Sequence, residues 1–160
     1  MKILAIQNRK GIGDMVIFLP FIESISKKFS TPVSVLVKEN SKAEIILSNN
    51  KYIDKIIILD RDNFKRGRHD GISGSIKLID DLKKYNFDKV FIFNSSLRFN
   101  LISKLASIKD IYQYPLFEKK YQHVINAAQN FLKIKLDLDV ESYPKIKVDD
   151  KEIIIFKNKF

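Results

Sequence analysis

Residues 2–20 read KILAIQNRKGIGDMVIFLP, and this stretch decides the fold. The run 2–7 is apolar and stops at the turn residues Asn8, Lys10, Gly11 and Gly13. A short apolar run bounded in this way predicts a buried parallel strand. Met15, Phe18, Ile22, Ile25 and Phe29 then recur at spacings of three and four, which is one face of a helix. Pro20 lies inside that pattern and cannot donate to the preceding turn, which predicts a kink or a late helix start.

The same alternation continues outward. Thr31-Pro32 stops the helix, and VSVLV at Val33–Val37 reads as a second strand. Ser41 and Glu44 have capping-box spacing before Ile45, Ile46 and Leu47, so a short helix is predicted from about residue 41. IIIL at 56–59 predicts a third strand, and the polar, basic, glycine-containing segment 61–74 a loop. Ile72, Ile76, Ile79 and Leu82 mark a helix, VFIF at 90–93 a fourth strand, and Leu97, Leu101 and Leu105 one face of the next helix. A short strand over 110–114 and a helix over 121–132 follow. The tail is two-sided: 151–156 has strand composition, whereas Asp149 followed by Glu152 resembles a helix start, the option favoured here.

Strands alternating with helices indicate a Rossmann-like α/β domain, a parallel sheet with helices on both faces. Ligands of such sheets bind beyond the carboxyl ends of the strands. That places residues 8–14, the 61–74 loop and residues 94–98 on one rim. One domain over 1–148 is expected, with 149–160 opening a linker or helix.

Composition narrows the function. The chain has 160 residues, 45% hydrophobic and 30% charged, as a folded domain has. It has no cysteine and two histidines, which argues against disulfide scaffolds, thiolate metal sites and multi-histidine metal sites. No metal or cofactor is expected. No apolar run reaches the roughly 20 residues of a membrane span, and the N-terminus lacks a signal-peptide pattern, so the expected compartment is the cytoplasm. The net charge of +10 fits either a meeting with phosphate-rich or anionic partners or the lysine-rich drift of an AT-rich genome. Placement says more than the total: Arg61, Arg66 and Arg68, three of five arginines, share one segment with Lys65 and His69. Guanidinium forks suit phosphate and carboxylate groups, although Asp62 and Asp70 offset part of this charge.

KGIGD at 10–14 is not a dinucleotide fingerprint, because the third glycine, at position 16, is missing; nor is it a P-loop. Its glycines let the backbone turn and approach a ligand closely. Asp14 then stands at the rim, either as a helix cap or as a general base at the mouth of a cleft.

The order of segments resembles the N-terminal half of the heptosyltransferase-like glycosyltransferases, family nine of that class. The stretches that carry it are 2–20, NNKYIDKIIILD at 49–60, LKKYNFDKVFIFNSSLR at 82–98 and, more weakly, YQHV at 121–124. The resemblance runs over nearly the whole chain but only about half of a family member. It implies the acceptor half of a GT-B fold, two Rossmann-like domains facing across a cleft. It implies that Asp14 matches the general base. Gly11, Gly13, Arg61, Lys65, Arg66, Arg68, Asn94, Ser96 and Arg98 would line the site of an anionic glycan or lipid-linked acceptor. The nucleotide-sugar donor, commonly ADP-heptose, would need a second domain or chain, so these residues alone are expected to be inactive. Such an acceptor leaves room for peripheral contact with the inner membrane face. The chain departs from the family at Ile92, where many members have Asp, at Ser95, where many have Gly, and near Gln113, where a glycine is expected.

Two other readings come from the residues. One is a stand-alone basic module that holds a phosphorylated ligand or RNA. RNA would call for exposed aromatics, whereas most Phe and Tyr fall in apolar runs, so no nucleic-acid partner is expected. The other is an inactive, truncated transferase.

Overall fold

ILAIQ pairs on both sides and is buried on both faces. In the computed structural model, which describes residues 1–61, 67–115 and 123–144, this strand is β1 (Ile3–Gln7), and all five residues are buried. It pairs in parallel with β2 (Val33–Val37), Ile3 opposite Val33, and with β4 (Lys89–Ile92), Ile3 opposite Lys89. β3 (Ile53–Ile58) adds beyond β2 and β5 (Asp110–Gln113) beyond β4, so the order is β3-β2-β1-β4-β5, all parallel. The order reverses between β1 and β4, where an open α/β sheet forms a ligand crevice.

Side chains alternate along each strand and divide the core in two. Ile3, Ala5, Val33, Val35, Val37, Phe91 and Phe93 pack under α1 (Ile12–Phe29), α2 (Ala43–Ile46) and α5 (Val124–Leu136). Leu4, Ile6, Leu36, Val90 and Ile92 face α3 (Gly71–Lys83) and α4 (Leu97–Leu105). Helices thus cover both faces, as the alternating pattern predicts.

Several boundaries differ from the sequence reading. α1 starts at Ile12 and runs through the buried Pro20, so there is no late start; the hydrogen bond that Pro20 cannot donate is lost inside the helix. Ser41 does not cap a helix. Its hydroxyl donates to the Lys38 carbonyl at 2.6 Å and closes a 3-10 turn, Lys42 takes the left-handed region at φ 52°, and α2 begins at Ala43. β3 begins three residues before the apolar run at 56–59. As an edge strand it tolerates the exposed Asp54 and Lys55, and Ser34 donates to Asp54 at 3.1 Å.

The 61–74 loop is shorter than expected, because α3 already begins at Gly71. Ile72 and Ile76 stand exposed, and α3 packs through Gly74, Leu78, Ile79 and Leu82. α4 shows a similar shift. Leu97, Leu101 and Leu105 do share a face, but it is the exposed one, and Phe99 and Ile102 carry the packing. An aromatic ring inserted between α4 and the sheet sets the rotation of this short helix more strongly than three leucines that can remain on the rim. α5 extends to Leu136 and ends at Asp137, at φ 52°. The domain boundary at 148–149 and the tail lie outside the described residues.

Gly74 is where α3 meets the preceding turn. A Cβ there would lie 2.2 Å from the His69 carbonyl carbon, so only glycine fits without a backbone shift. Gly74→Ala should therefore destabilise the chain by about 1–3 kcal/mol despite the better helix propensity of alanine. Gly13→Ala, with nothing within 4 Å of its added carbon, should change stability by no more than about 1 kcal/mol. Urea unfolding of the two variants checks the contrast, and equal stabilities would refute it.

Candidate functional site

The carboxyl ends of β1 and β4 are tied across the switch point. The Asn94 side-chain amide donates to the Asn8 side-chain oxygen at 3.2 Å, and the Asn94 oxygen accepts from the Ser96 backbone N–H at 2.9 Å, opening α4. Gln113, at the end of β5, closes the turn from the far side. Its amide donates to the carbonyls of Asn94 (3.1 Å) and Ser96 (2.9 Å), and its oxygen accepts from Asn100 (2.8 Å). Where the resemblance leads one to expect a glycine, this chain uses a side chain to fix the 94–96 turn.

Gly11 enters α1 at φ 103°, a backbone state that other residues rarely adopt, and space is open where a Cβ of Gly11 or Gly13 would point. No side chain caps this helix end. Asp14 is therefore not the cap. It sits within the first helical turn, 23% exposed, where the helix dipole favours a negative charge, with the Arg9 guanidinium 3.9 Å away. Gln7, the last residue of β1, is 1% exposed, and neither its amide nitrogen nor its oxygen has a hydrogen-bond partner.

The described part of the basic loop is a clasp. The Asp60 carbonyl and carboxylate accept from the N–H groups of His69 (2.9 Å) and Arg68 (2.9 Å), and the Asp70 carboxylate accepts from Gly67 at 2.8 Å. His69 is buried. Its Nδ1 accepts from the Asp60 N–H at 3.1 Å, so the ring proton sits on Nε2, 3.3 Å from Asp81. Arg68 forks onto both oxygens of Asp81, and Arg61 reaches Asp70 at 3.2 Å. Arg98 donates to the His69 carbonyl and to the Ser75 hydroxyl, pinning α4 to the clasp. Burial and then the charge of Arg61 lower the pKa of Arg98 from the usual arginine range. Lys65 and Arg66 lie outside the described residues.

The structure thus brings Asp14, Gly11, Gly13, Asn94 and Ser96 to the crevice between β1 and β4. It gives Arg61, Arg68 and Arg98 intramolecular partners on the neighbouring side. A cavity that the sequence reading missed lies on the opposite side, between the end of β5 and α5. It has a volume of about 330 Å³ and is lined by Arg9, Ser95, Tyr114, Phe131 and Lys135 among others. Tyr114 follows a strand end on the ligand-binding rim, and that position was the available signal. Among the described residues no cluster of three His, Asp or Glu could hold a metal ion, and no helix is long and apolar enough to cross a membrane.

Asp81 binds the clasp to α3. Burial raises its pKa, but hydrogen bonds from Lys84, Arg68 and His69 outweigh this and hold it down at about 2. A carboxylate depressed in the folded state contributes stability that is present above its unfolded value, near 3.8, and lost as pH falls towards 2. The acid limb of thermal stability between pH 4 and 2 should therefore be shallower in Asp81→Asn than in the wild type. Parallel limbs would show that this carboxylate does not couple to folding.

No family model and no curated protein matches the chain. Solved structures do. The chain is similar to the glycosyl transferase family 9 structure from Veillonella parvula DSM 2008, at TM-score 0.74 and 18% identity over 98% of this chain and 48% of that one. It is also similar to E. coli ADP-heptose lps heptosyltransferase II, at TM-score 0.66 and 17% identity over 100% of this chain and 50% of that one. E. coli heptosyltransferase WaaC with ADP follows, at TM-score 0.56 and 16% identity over 93% and 51%. The chain spans about half the length of these structures, and at such identities the likeness is one of fold. The five-stranded parallel sheet flanked by helices is the α/β architecture that these GT-B glycosyltransferases share over about half their length.

Proposed function

We propose that the chain is the acceptor-side domain of an inverting glycosyltransferase, acting on an anionic glycan with heptose or a similar sugar from a nucleotide-sugar. One observation carries this reading: a partly exposed carboxylate, Asp14, stands in the first turn of α1 at the sheet's switch point, behind an open glycine turn. The fold likeness to heptosyltransferases supports it.

In this reading Asp14 takes the proton of an acceptor hydroxyl as its oxygen attacks the anomeric carbon. The new glycosidic bond forms as the bond to the nucleotide phosphate breaks, and the configuration inverts. General-base assistance of this kind contributes roughly 100- to 10,000-fold. The crevice residues Gly11, Gly13, Asn94 and Ser96 leave room for the acceptor and orient it. Arg61, Arg68 and Arg98 add positive potential along its flank, and Lys65 and Arg66 add charge from the same stretch of sequence. Donor binding belongs to a further domain or chain, in keeping with similar structures about twice as long.

In an assembly that includes the donor-binding domain, Asp14→Asn should lower kcat about 100-fold or more while circular dichroism and Tm stay close to wild type. A near-normal kcat in a folded Asp14→Asn variant would overturn the assignment. Neutralising Arg61, Lys65, Arg66 and Arg68 together should raise the Kd for an acidic acceptor at low salt, with the difference shrinking at high salt as exposed charges are screened. Equal affinities at low salt would remove the loop from the site.

A further inference from the structure

The outer face of α3 and α4 is apolar where a surface helix usually turns polar groups to water. Ile72 and Ile76 on α3, and Leu97, Leu101 and Leu105 on α4, are each more than half exposed. They are five of the ten large apolar side chains exposed among the described residues. Single exposed apolar residues are ordinary, whereas a cluster of them marks an interaction surface. The two helices are neighbours on one side of the sheet. Leu78, Ile79 and Leu82 share a core with Phe99 and Ile102, and Arg98 donates to Ser75 at 3.1 Å. Spacings of four put the three leucines in one row along α4 and the two isoleucines in another along the first half of α3. Arg98 also donates to the His69 carbonyl, which holds α4 in this rotation.

Charge around these rows has one sign. Lys77 and Lys83 on α3, Lys104 on α4 and Lys109 just beyond it are exposed and form no ion pair among the described residues. Asp80 is the one exposed carboxylate on the two helices, because Asp81 is taken up by Arg68, His69 and Lys84. Lysine stems lie along apolar surface while their ammonium groups reach outward. An apolar stripe edged by unpaired lysines complements hydrocarbon beneath a layer of anionic headgroups. Two copies of the chain joined through this face would instead set lysines against lysines, and like charges so placed oppose association.

We propose that the α3–α4 face docks on an anionic phospholipid bilayer. Ile72, Ile76, Leu97, Leu101 and Leu105 enter the boundary between headgroups and acyl chains, and Lys77, Lys83, Lys104 and Lys109 meet lipid phosphates. The face lies on the side of the sheet and not at its carboxyl end, so the crevice stays open beside the membrane. The inference stands apart from the acceptor-side reading, since it needs neither a base at Asp14 nor a bound sugar.

The chain has no tryptophan, so one introduced indole reports its own surroundings. Emission from Leu101→Trp should move to the blue with vesicles of equal parts phosphatidylglycerol and phosphatidylcholine, and stay unchanged with phosphatidylcholine alone. Ile45→Trp, at a 76% exposed position on α2 across the sheet, should not respond to either. Ile76→Gln, Leu97→Gln and Leu101→Gln combined should weaken co-sedimentation with the anionic vesicles about 100-fold or more, with circular dichroism unchanged. Lys77→Gln, Lys83→Gln and Lys104→Gln combined should also weaken it about 100-fold at low salt, roughly fivefold for each lysine. The same change at Lys28, Lys42 and Lys135, exposed lysines away from this face, should weaken it less than about tenfold. Equal losses from the two lysine sets would assign binding to net charge and overturn the face. Anionic-vesicle binding that survives the apolar triple change, or no binding at all, would overturn it too. So would a concentration-dependent dimer in sedimentation that the apolar triple change abolishes, because a second copy would then cover the stripe. None of these outcomes bears on the turnover of Asp14→Asn, which reads the base separately.

Discussion

β1 is enclosed on every side. Strands flank both of its edges, helices cover both of its faces, and all five residues are buried. Such a strand must be apolar along its whole length, and its backbone groups must find their partners in β2 and β4. The two consequences are linked. The crossovers needed for parallel pairing deliver helices to both faces, and the reversal of order next to β1 opens the crevice beyond its carboxyl end. The glycine turn and Asp14 leave β1 at that point. The candidate base is placed by the most constrained strand in the molecule.

Around the crevice the polar groups divide between those that hold the structure and a few that are buried without a partner. Asp60, Asp70 and Asp81 draw the turn 67–70, α3 and α4 together through backbone N–H groups, His69 and three arginines. This network is local and largely satisfied. Gln7 and Tyr114, in contrast, are buried on the same face of the sheet with polar atoms that have no partner. Gln7 is the last residue of β1 and Tyr114 follows the last residue of β5; the residues before them, Ile6 and Gln113, both register with Ile92, next to Phe93. An unmade hydrogen bond in a core costs about 1–3 kcal/mol. Two of them beside one crevice mark the α1–α5 side as the less self-sufficient half of the rim.

Most of the fold was legible in the sequence because strand burial and helix faces leave periodic traces. The runs at 2–7, Val33–Val37 and 90–93 are strands, and spacings of three and four located α1 and α3. The misreadings share one cause. Leu97, Leu101 and Leu105 have helical spacing and yet face outward, because Phe99 sets the rotation of α4. Ser41 has capping spacing and yet spends its hydroxyl on Lys38. Periodicity shows that a face exists but not which way it turns, and spacing shows that a bond is possible but not which partner takes it.

The same division runs through the site. The sequence by itself determined that a strand, a glycine turn and a helix would carry Asp14 to the carboxyl edge of a parallel sheet, because these are local consequences of burial and of the two glycines. It also determined that positive charge would gather at residues 61–68. Only the tertiary structure decided how that charge is used. Asp81 and the His69 carbonyl come to Arg68 and Arg98 from 13 and 29 residues away. Arg9, Tyr114 and Lys135, spread along the chain, meet around one cavity. Counter-charges and cavities arise from packing between distant segments, and no local pattern of residues encodes them.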